Sequence, residues 1–297
     1  SEGLEISEMA TMKSGGIVAV SDDGKCVQNA KLMLNCMRYA KNFELPVIVH
    51  SEDYTLGGKG QIHAGKVATR LGLTGIPGLA EEVIIARDIM LAESVGCRLH
   101  IAHISTARSI EMVRDAKNRG LNITCEVTPH HLILTDEACL TFDTNTKMKP
   151  PLRSEKDRLA CIEALIDGTI DCIATDHAPH ADFEKVREFD QAPFGIIGFE
   201  TALPALYHHL VKPGIVMLER VVEAYSTVPA RLLGLPDNEL KAGNAADIVI
   251  VDLQAQSDIS EEFILSKSKN SPWLGHSLSG KIISTFMDGQ ISWQESE

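Results

Sequence analysis

The chain has 297 residues, 44% of them hydrophobic and 23% charged, which is typical of a globular protein with one large domain or two smaller ones. The formal net charge of −13 and the lack of any lysine or arginine run argue against nucleic acid as a partner. No apolar stretch approaches the roughly 20 residues of a membrane-spanning helix and residues 1–10 do not resemble a signal peptide, so we expect a cytoplasmic protein.

Five short apolar runs recur along the chain, and each is followed by a segment of helical periodicity. They cover residues 16–20, 46–49, 99–102, 122–127 and 171–174. Because the runs are apolar throughout and do not alternate with polar residues, they are typical of parallel strands that are buried on both faces. The alternation of strands and helices predicts an α/β fold with a parallel sheet.

Apolar residues at helical spacing predict three helices between these strands. The three apolar faces are Leu79, Val83, Ala86 and Met90; Ile110, Val113 and Ala116; and Leu159, Ile162 and Leu165. Gly120 is predicted to end the second helix, and Ser154 to cap the third.

Each predicted strand ends in polar or ionisable residues. The endings are SDD at 21–23, HSED at 50–53, HIS at 103–105, TPHH at 128–131 and TDHAPH at 175–180. Open sheets and closed barrels both place functional groups at the carboxyl ends of their strands, but only a barrel brings five strand ends around one centre. We therefore predict a (β/α)8 barrel of which about five strands are present, and we expect the missing strands to precede Ser1.

The character of the chain changes near residues 235–245. From Lys241 onward, glycine-punctuated β-branched runs follow one another without helices between them. We predict two units: residues 1–240 as the C-terminal part of the barrel, and residues 241–297 as a small β domain.

Histidines and carboxylates at the strand ends, without cysteine, favour Zn2+ or a similar divalent metal in an open catalytic site. A single histidine there is more often structural, and a single aspartate before Gly24 is more often a turn residue. The metal hypothesis depends on the whole set of strand ends.

Segment 174–180, ATDHAPH, resembles a signature of the dihydroorotases, a family of the amidohydrolase superfamily. Further resemblances follow in the family's order: SDDG at 21–24, VIVHSED at 47–53, AHISTA at 102–107, EVTPHHL at 126–132, KPPLR at 149–153 and APFGIIGFETALP at 192–204. The resemblance covers essentially the whole chain and is closest to the bacterial-type, class I enzymes. It implies that residues 241–297 belong to a composite β-sandwich domain.

The resemblance implies roles for individual residues. Asp23, His50, His103 and Asp176 would bind one or two Zn2+ ions, and Asp176 would also be the catalytic acid and base. His180 and the main chain at Phe194 and Gly195 would hold the substrate, with a further contact from Lys149, which stands where many relatives have asparagine. His100, His130, His131 and His177 would support the fold or the ligands.

The implied activity is the reversible cyclisation of N-carbamoyl-L-aspartate to L-dihydroorotate by metal-activated water, a step of pyrimidine synthesis. The resemblance also implies a homo-oligomer and an association with aspartate transcarbamoylase. The family's His-x-His pair and its substrate-binding arginine are not in this sequence. We therefore expect roughly 120 to 130 further residues upstream, in line with the three strands missing from the barrel, and we expect the 297 residues alone to be inactive.

Two alternatives stay open. One is a catalytically silent dihydroorotase-like subunit that supports a transcarbamoylase assembly. The other is a different cyclic-amide hydrolase of the hydantoinase or allantoinase type.

Overall fold

The computed structural model describes residues 3–236 and 239–295. The strands are β1 (Val20–Ser21), β2 (Val47–Val49), β3 (Ile62–His63), β4 (Gly75–Ile76), β5 (Leu99–Ile101), β6 (Ile123–Val127), β7 (Cys172–Ile173), β8 (Ile248–Asp258), β9 (Ser277–Met287) and β10 (Gln290–Gln294). The α-helices are α1 (Met9–Ser14), α2 (Ala30–Lys41), α3 (Tyr54–Gly57), α4 (Lys66–Leu71), α5 (Leu79–Val95), α6 (Ala107–Asn118), α7 (Pro129–Ile133), α8 (Glu155–Asp167), α9 (Asp182–Lys185), α10 (Ala202–Leu206), α11 (Leu218–Val222) and α12 (Val228–Leu233). Two 3-10 helices (Asp136–Thr141, Thr144–Thr146) and two π-helical turns (Tyr207–Val211, Glu223–Thr227) complete the helical elements.

The predicted parallel sheet is confirmed. Its strand order is β1-β2-β5-β6-β7, with all pairs parallel. Val47 is in register with Leu99, and Leu99 with Ile123, so the carboxyl ends of neighbouring strands reach the same edge. The first strand begins later than predicted: the run at 16–20 starts in a turn after α1, where Gly16 has a φ of +95°.

The helices α2, α5, α6 and α8 pack around this sheet, and their buried residues form one hydrophobic core with it. The predicted inner face of α6 is confirmed, because Ile110, Val113 and Ala116 are all buried. The cap of α8 is also confirmed, since the Ser154 side chain accepts a hydrogen bond from the backbone N–H of Asp157.

The predicted inner face of α5 is wrong. Leu79 and Met90 are 50% and 69% exposed, and Val83 is exposed as well. The face that packs inward instead contains Ala80, Ile84, Ile85, Ile89 and Ala92. Because apolar residues occur all around this helix, their spacing did not identify the inner face. Leu159 of α8 is likewise exposed, whereas Ile162 and Leu165 are buried as predicted.

A short parallel pair, β3 with β4, was not predicted. It lies in the connection between β2 and α5. Each of these strands has two residues, so they are too short to produce a periodic pattern in the sequence.

The predicted C-terminal antiparallel unit is confirmed as a sheet of order β10-β9-β8. A second hydrophobic core joins it to the barrel portion through Ile197, Ala205, Ile259, Ile264, Trp273 and Leu278. The boundary near residue 240 stays a prediction. All seven cysteines are free thiols, six of them buried. No helix in residues 3–236 or 239–295 is long and apolar enough to cross a membrane.

Candidate metal centre and active-site cavity

Three of the predicted metal ligands converge at the carboxyl edge of the parallel sheet. Asp23, His50 and His103 follow β1, β2 and β5, which are neighbours in the sheet, and one ligand atom from each lies within 4.8 Å of the others. His50 Nδ1 is 2.8 Å from His103 Nε2 and 4.0 Å from Asp23 Oδ1. Two imidazole nitrogens and a carboxylate at such distances suit a zinc ion.

Two aspartates follow β1, and the structure separates their roles. Asp22 is buried, and its two carboxylate oxygens accept hydrogen bonds from the backbone N–H groups of His50 and Val27. The side chain of Asp23 is 66% exposed and faces His50. Asp22 therefore stabilises the turn after β1 through hydrogen bonds, and the carboxylate of Asp23 is available to bind an ion.

His103 is buried in a way that favours metal binding. Burial, together with the neighbouring His50 and His131, lowers the pKa of its imidazole well below the usual value. The ring is therefore neutral at pH 7, which is the form that coordinates a metal. Its backbone φ of +37°, like the +47° of Asp176, is unusual for a residue other than glycine, and such strain is typical of functional sites.

Asp176 follows β7 and faces the same cavity, although it is not one of the three residues whose ligand atoms converge. Burial, and secondly the charge of Asp23, raise the pKa of its carboxyl to about 7. A carboxyl with a pKa near neutrality can both take and release a proton at physiological pH.

The cavity in front of these residues has a volume of about 550 Å3. Its lining residues are Asp23, Gly24, Lys25, His50, Glu52, Tyr54, His103, Met148, Lys149, Asp176, Ala178 and Phe194. The cavity therefore combines carboxylates and imidazoles with two lysines and two aromatic rings.

Glu52 is a site residue that the sequence analysis did not single out. It is buried, with Oε2 3.6 Å from His50 Nε2 and Oε1 2.8 Å from Lys149 Nζ. Burial raises its pKa, but the hydrogen bonds from His50 and Lys149 outweigh burial and lower it. A carboxylate beside a ligand histidine orients the ring and strengthens the ligand. The sequence signal that could have identified Glu52 is its position two residues after the predicted ligand His50.

His180 contacts the backbone of the segment that contains Phe194 and Gly195. Its Nε2 is 2.8 Å from the Phe194 carbonyl, so Nε2 carries the hydrogen and Nδ1 faces Glu184, 3.6 Å away. Gly195 has a φ of +156°, and a Cβ there would lie 2.6 Å from the Ala178 carbonyl oxygen and 2.7 Å from His180 Cδ2. Only glycine fits this close approach.

Three of the remaining histidines near the site have hydrogen-bond partners within the fold, whereas Nε2 of His130 is buried without one among the described residues. His131 bonds Thr128 Oγ1 and the Pro150 carbonyl, and His100 bonds Thr124 Oγ1 and lies 3.1 Å from Glu126. His177 Nδ1 accepts from the backbone N–H of Gly198, and its ring stacks on Phe199. His130 is buried against His131.

In sequence, the chain is similar to known dihydroorotases. Residues 1–109 match a family described as dihydro-orotase-like. A dihydroorotase of Endomicrobium trichonymphae is 50% identical over 295 residues, which are 99% of this chain and 70% of that protein. A dihydroorotase of Geobacillus sp. (strain WCH70) is 46% identical over 99% of this chain and 69% of its own length.

Among solved structures, the L-hydantoinase (dihydropyrimidinase) of Arthrobacter aurescens superposes with a TM-score of 0.85 at 26% identity. The match covers 98% of this chain and 68% of that one.

Proposed function

This chain belongs to the dihydroorotase family, and we propose that it catalyses the reversible cyclisation of N-carbamoyl-L-aspartate to L-dihydroorotate. The observation that carries the proposal is the convergence of Asp23, His50 and His103 beside Asp176, whose carboxyl has a pKa of about 7. Ligands and a proton carrier around one cavity are the groups that hydrolysis of a cyclic amide requires.

The metal of this site is, in our proposal, zinc, as one or two ions. Asp23, His50 and His103 would hold it, with Asp176 as a further ligand, because imidazole and carboxylate donors without thiolate are typical of catalytic zinc sites. When bound there, zinc supplies Lewis acidity and lowers the pKa of water towards ~7.

Proton transfer is assigned to Asp176. In the hydrolytic direction its carboxylate takes a proton as water attacks the ring amide carbonyl, and it then gives that proton to the departing ring nitrogen. In ring closure the same carboxyl carries the proton the other way. Burial and the charge of Asp23 raise the pKa of this carboxyl, which makes its protonated form easier to reach during the transfer.

Substrate binding is assigned to the part of the cavity wall that contains Lys149 and Phe194. The substrate is an anion, so it needs cations or hydrogen-bond donors. Lys149 supplies an ammonium group beside Phe194, with its Nζ 5.1 Å from the centre of that ring. Phe194 lines the cavity, and we propose that His180, which bonds the Phe194 carbonyl, and the main chain at Phe194 and Gly195 also contact the substrate.

We further propose that these residues work within a closed eight-stranded barrel. Among the described residues, the edge strands β1 and β7 of the parallel sheet pair with one neighbour each, which leaves the interior open. Residues 1–297 expressed alone are therefore expected to show no turnover with added zinc. The control is the same sequence joined to the strands that complete the barrel, called here the closed-barrel enzyme. Equal turnover by the two proteins would contradict this expectation.

Replacing Lys149 with methionine is expected to raise the KM for L-dihydroorotate about tenfold, because the change removes one charge-assisted contact. The change also leaves the buried carboxylate of Glu52 without its cation. Steady-state kinetics of the closed-barrel enzyme measure the effect. Lys25→Met is the matched control in the same cavity, and an equal rise in both variants would point to a general field effect and not to a specific contact.

One assay separates the competing functions. Zinc content and turnover of L-dihydroorotate and of hydantoin are measured on the closed-barrel enzyme. We expect zinc and dihydroorotate turnover. Turnover of hydantoin but not of L-dihydroorotate would indicate an enzyme of the hydantoinase type. A protein with neither zinc nor turnover would indicate a catalytically silent subunit.

We also propose a cytoplasmic location, which the seven free cysteines support because reducing compartments preserve thiols. Self-association, and binding to an aspartate transcarbamoylase, stay predictions. Light scattering with and without the transcarbamoylase tests both.

A further inference from the structure

One buried side chain of the C-terminal part reaches the substrate-binding wall of the cavity. Asn270 lies in the connection between β8 and β9 and is 3% exposed. Its Nδ2 donates to the carbonyls of Ala178, at 2.9 Å, and Gly195, at 3.0 Å, and its Oδ1 accepts from the backbone N–H of His180 at 3.2 Å. Both amide hydrogens and the amide oxygen are therefore used.

These three bonds join two segments that lie side by side. Residues 177–180 follow β7, and residues 194–197 return past them, with a bridge between His177 and Ile196. The backbone carbonyl of Asn270 also accepts from the N–H of Ile197 at 3.1 Å. The N–H of Ala178 also donates to the Ile196 carbonyl at 3.0 Å, and Asn270 adds a side-chain link between the main chain at His180 and the main chain at Gly195.

Two buried lysines fix the rest of the second segment. Lys147 Nζ donates to the carbonyls of Phe189 and Ala192, each at 2.6 Å, and Lys185 Nζ donates to that of Gly195 at 3.1 Å. The preceding loop is therefore anchored without Asn270. What Asn270 adds is the link between Gly195 and the backbone of His180, the residue whose ring meets the Phe194 carbonyl.

We propose that Asn270 is a positioning residue that holds His180 and Gly195 in the geometry that binds the substrate, so that the C-terminal β unit contributes to affinity. The proposal rests on the proposed function, because it assigns these two residues to substrate binding. A purely structural asparagine would affect folding and zinc content. A positioning asparagine affects KM while folding and zinc content stay unchanged.

The test uses the zinc-loaded closed-barrel enzyme with Asn270→Ala and Asn270→Asp. We expect Asn270→Ala to raise the KM for L-dihydroorotate about tenfold, with kcat within about threefold and zinc content unchanged. Asn270→Asp should raise KM further, because a carboxylate cannot donate to the two carbonyls and repels them. Ser271→Ala is the matched control, since Ser271 is buried next to Asn270 and bonds the backbone of Trp273.

An unchanged KM in both variants, or a KM rise in Ser271→Ala as large as in Asn270→Ala, would overturn the proposal. If Asn270→Ala fails to fold, Asn270→Ser, which keeps one hydrogen-bond donor, replaces it, and its KM, kcat and zinc content are judged in the same way. Loss of zinc from both Asn270→Ala and Asn270→Ser would indicate a structural role for Asn270. If the parent enzyme does not turn over L-dihydroorotate, it is the proposed function that fails. The KM of whichever cyclic amide it accepts then tests Asn270.

Discussion

Replacing Asp176 with asparagine is expected to lower kcat for L-dihydroorotate hydrolysis by a factor on the order of 10^3, within the range that general acid–base groups contribute. Asparagine has nearly the same shape but cannot carry the proton between water and the ring nitrogen. The measurement is kcat of the closed-barrel enzyme, with zinc content determined on the same sample. Three of the four proposed ligands, Asp23, His50 and His103, remain in this variant, so the protein should still contain zinc.

Asp182→Asn is the matched control, because Asp182 begins α9 six residues later and is exposed. If kcat falls by less than tenfold in Asp176→Asn, the proposal that Asp176 transfers the proton is wrong. The pH profile gives a second check. Hydrolysis starts from the carboxylate, so the rate should fall as the pH drops through the pKa of Asp176. That pKa is raised to about 7 by burial and the charge of Asp23, and a bound cation would move the fall to lower pH.

Replacing His103 with alanine is expected to weaken zinc binding by at least about 100-fold, and to abolish turnover at stoichiometric zinc. Loss of a residue that merely supports a ligand already costs 10- to 100-fold, so loss of a ligand should cost more. His103 Nε2 lies 2.8 Å from His50 Nδ1, and removing it leaves one imidazole and one carboxylate of the convergent group. Competition with a chromogenic chelator measures the affinity.

His276→Ala is the control for the zinc measurement, since His276 is exposed and lies in the C-terminal part of the chain. Retention of one tightly bound zinc in His103→Ala would contradict the ligand assignment. Equal losses in the two variants would show that the assay reports adventitious zinc at surface histidines.

Much of the fold could be predicted because its signals are local. Each parallel strand is a short apolar run, and four of them, β1, β2, β5 and β7, are followed by a polar residue that lines the cavity. Neighbouring strands such as β2 and β5 are in register, and therefore His50 and His103 meet. The inner face of α5 could not be predicted, because its outward residues Leu79 and Met90 are as apolar as its inward ones and the fold alone chooses between them.

The details of the site depended on contacts between residues distant in sequence. Lys149 belongs to a motif of the family resemblance, but its partner Glu52 is 97 positions away, and no spacing rule connects them. Asn270 is 90 positions from His180 and belongs to the other sheet-forming part of the chain.

The sequence by itself determined the residue types at the strand ends, and so the α/β class, the barrel edge as the site and a zinc-type donor set. Only the tertiary structure decided which carboxylate pairs with Lys149 and which side chain joins His180 to Gly195. The physical reason is that periodicity and strand ends follow from local backbone geometry. Burial, pKa and hydrogen-bond partners instead depend on which distant segments fold against one another.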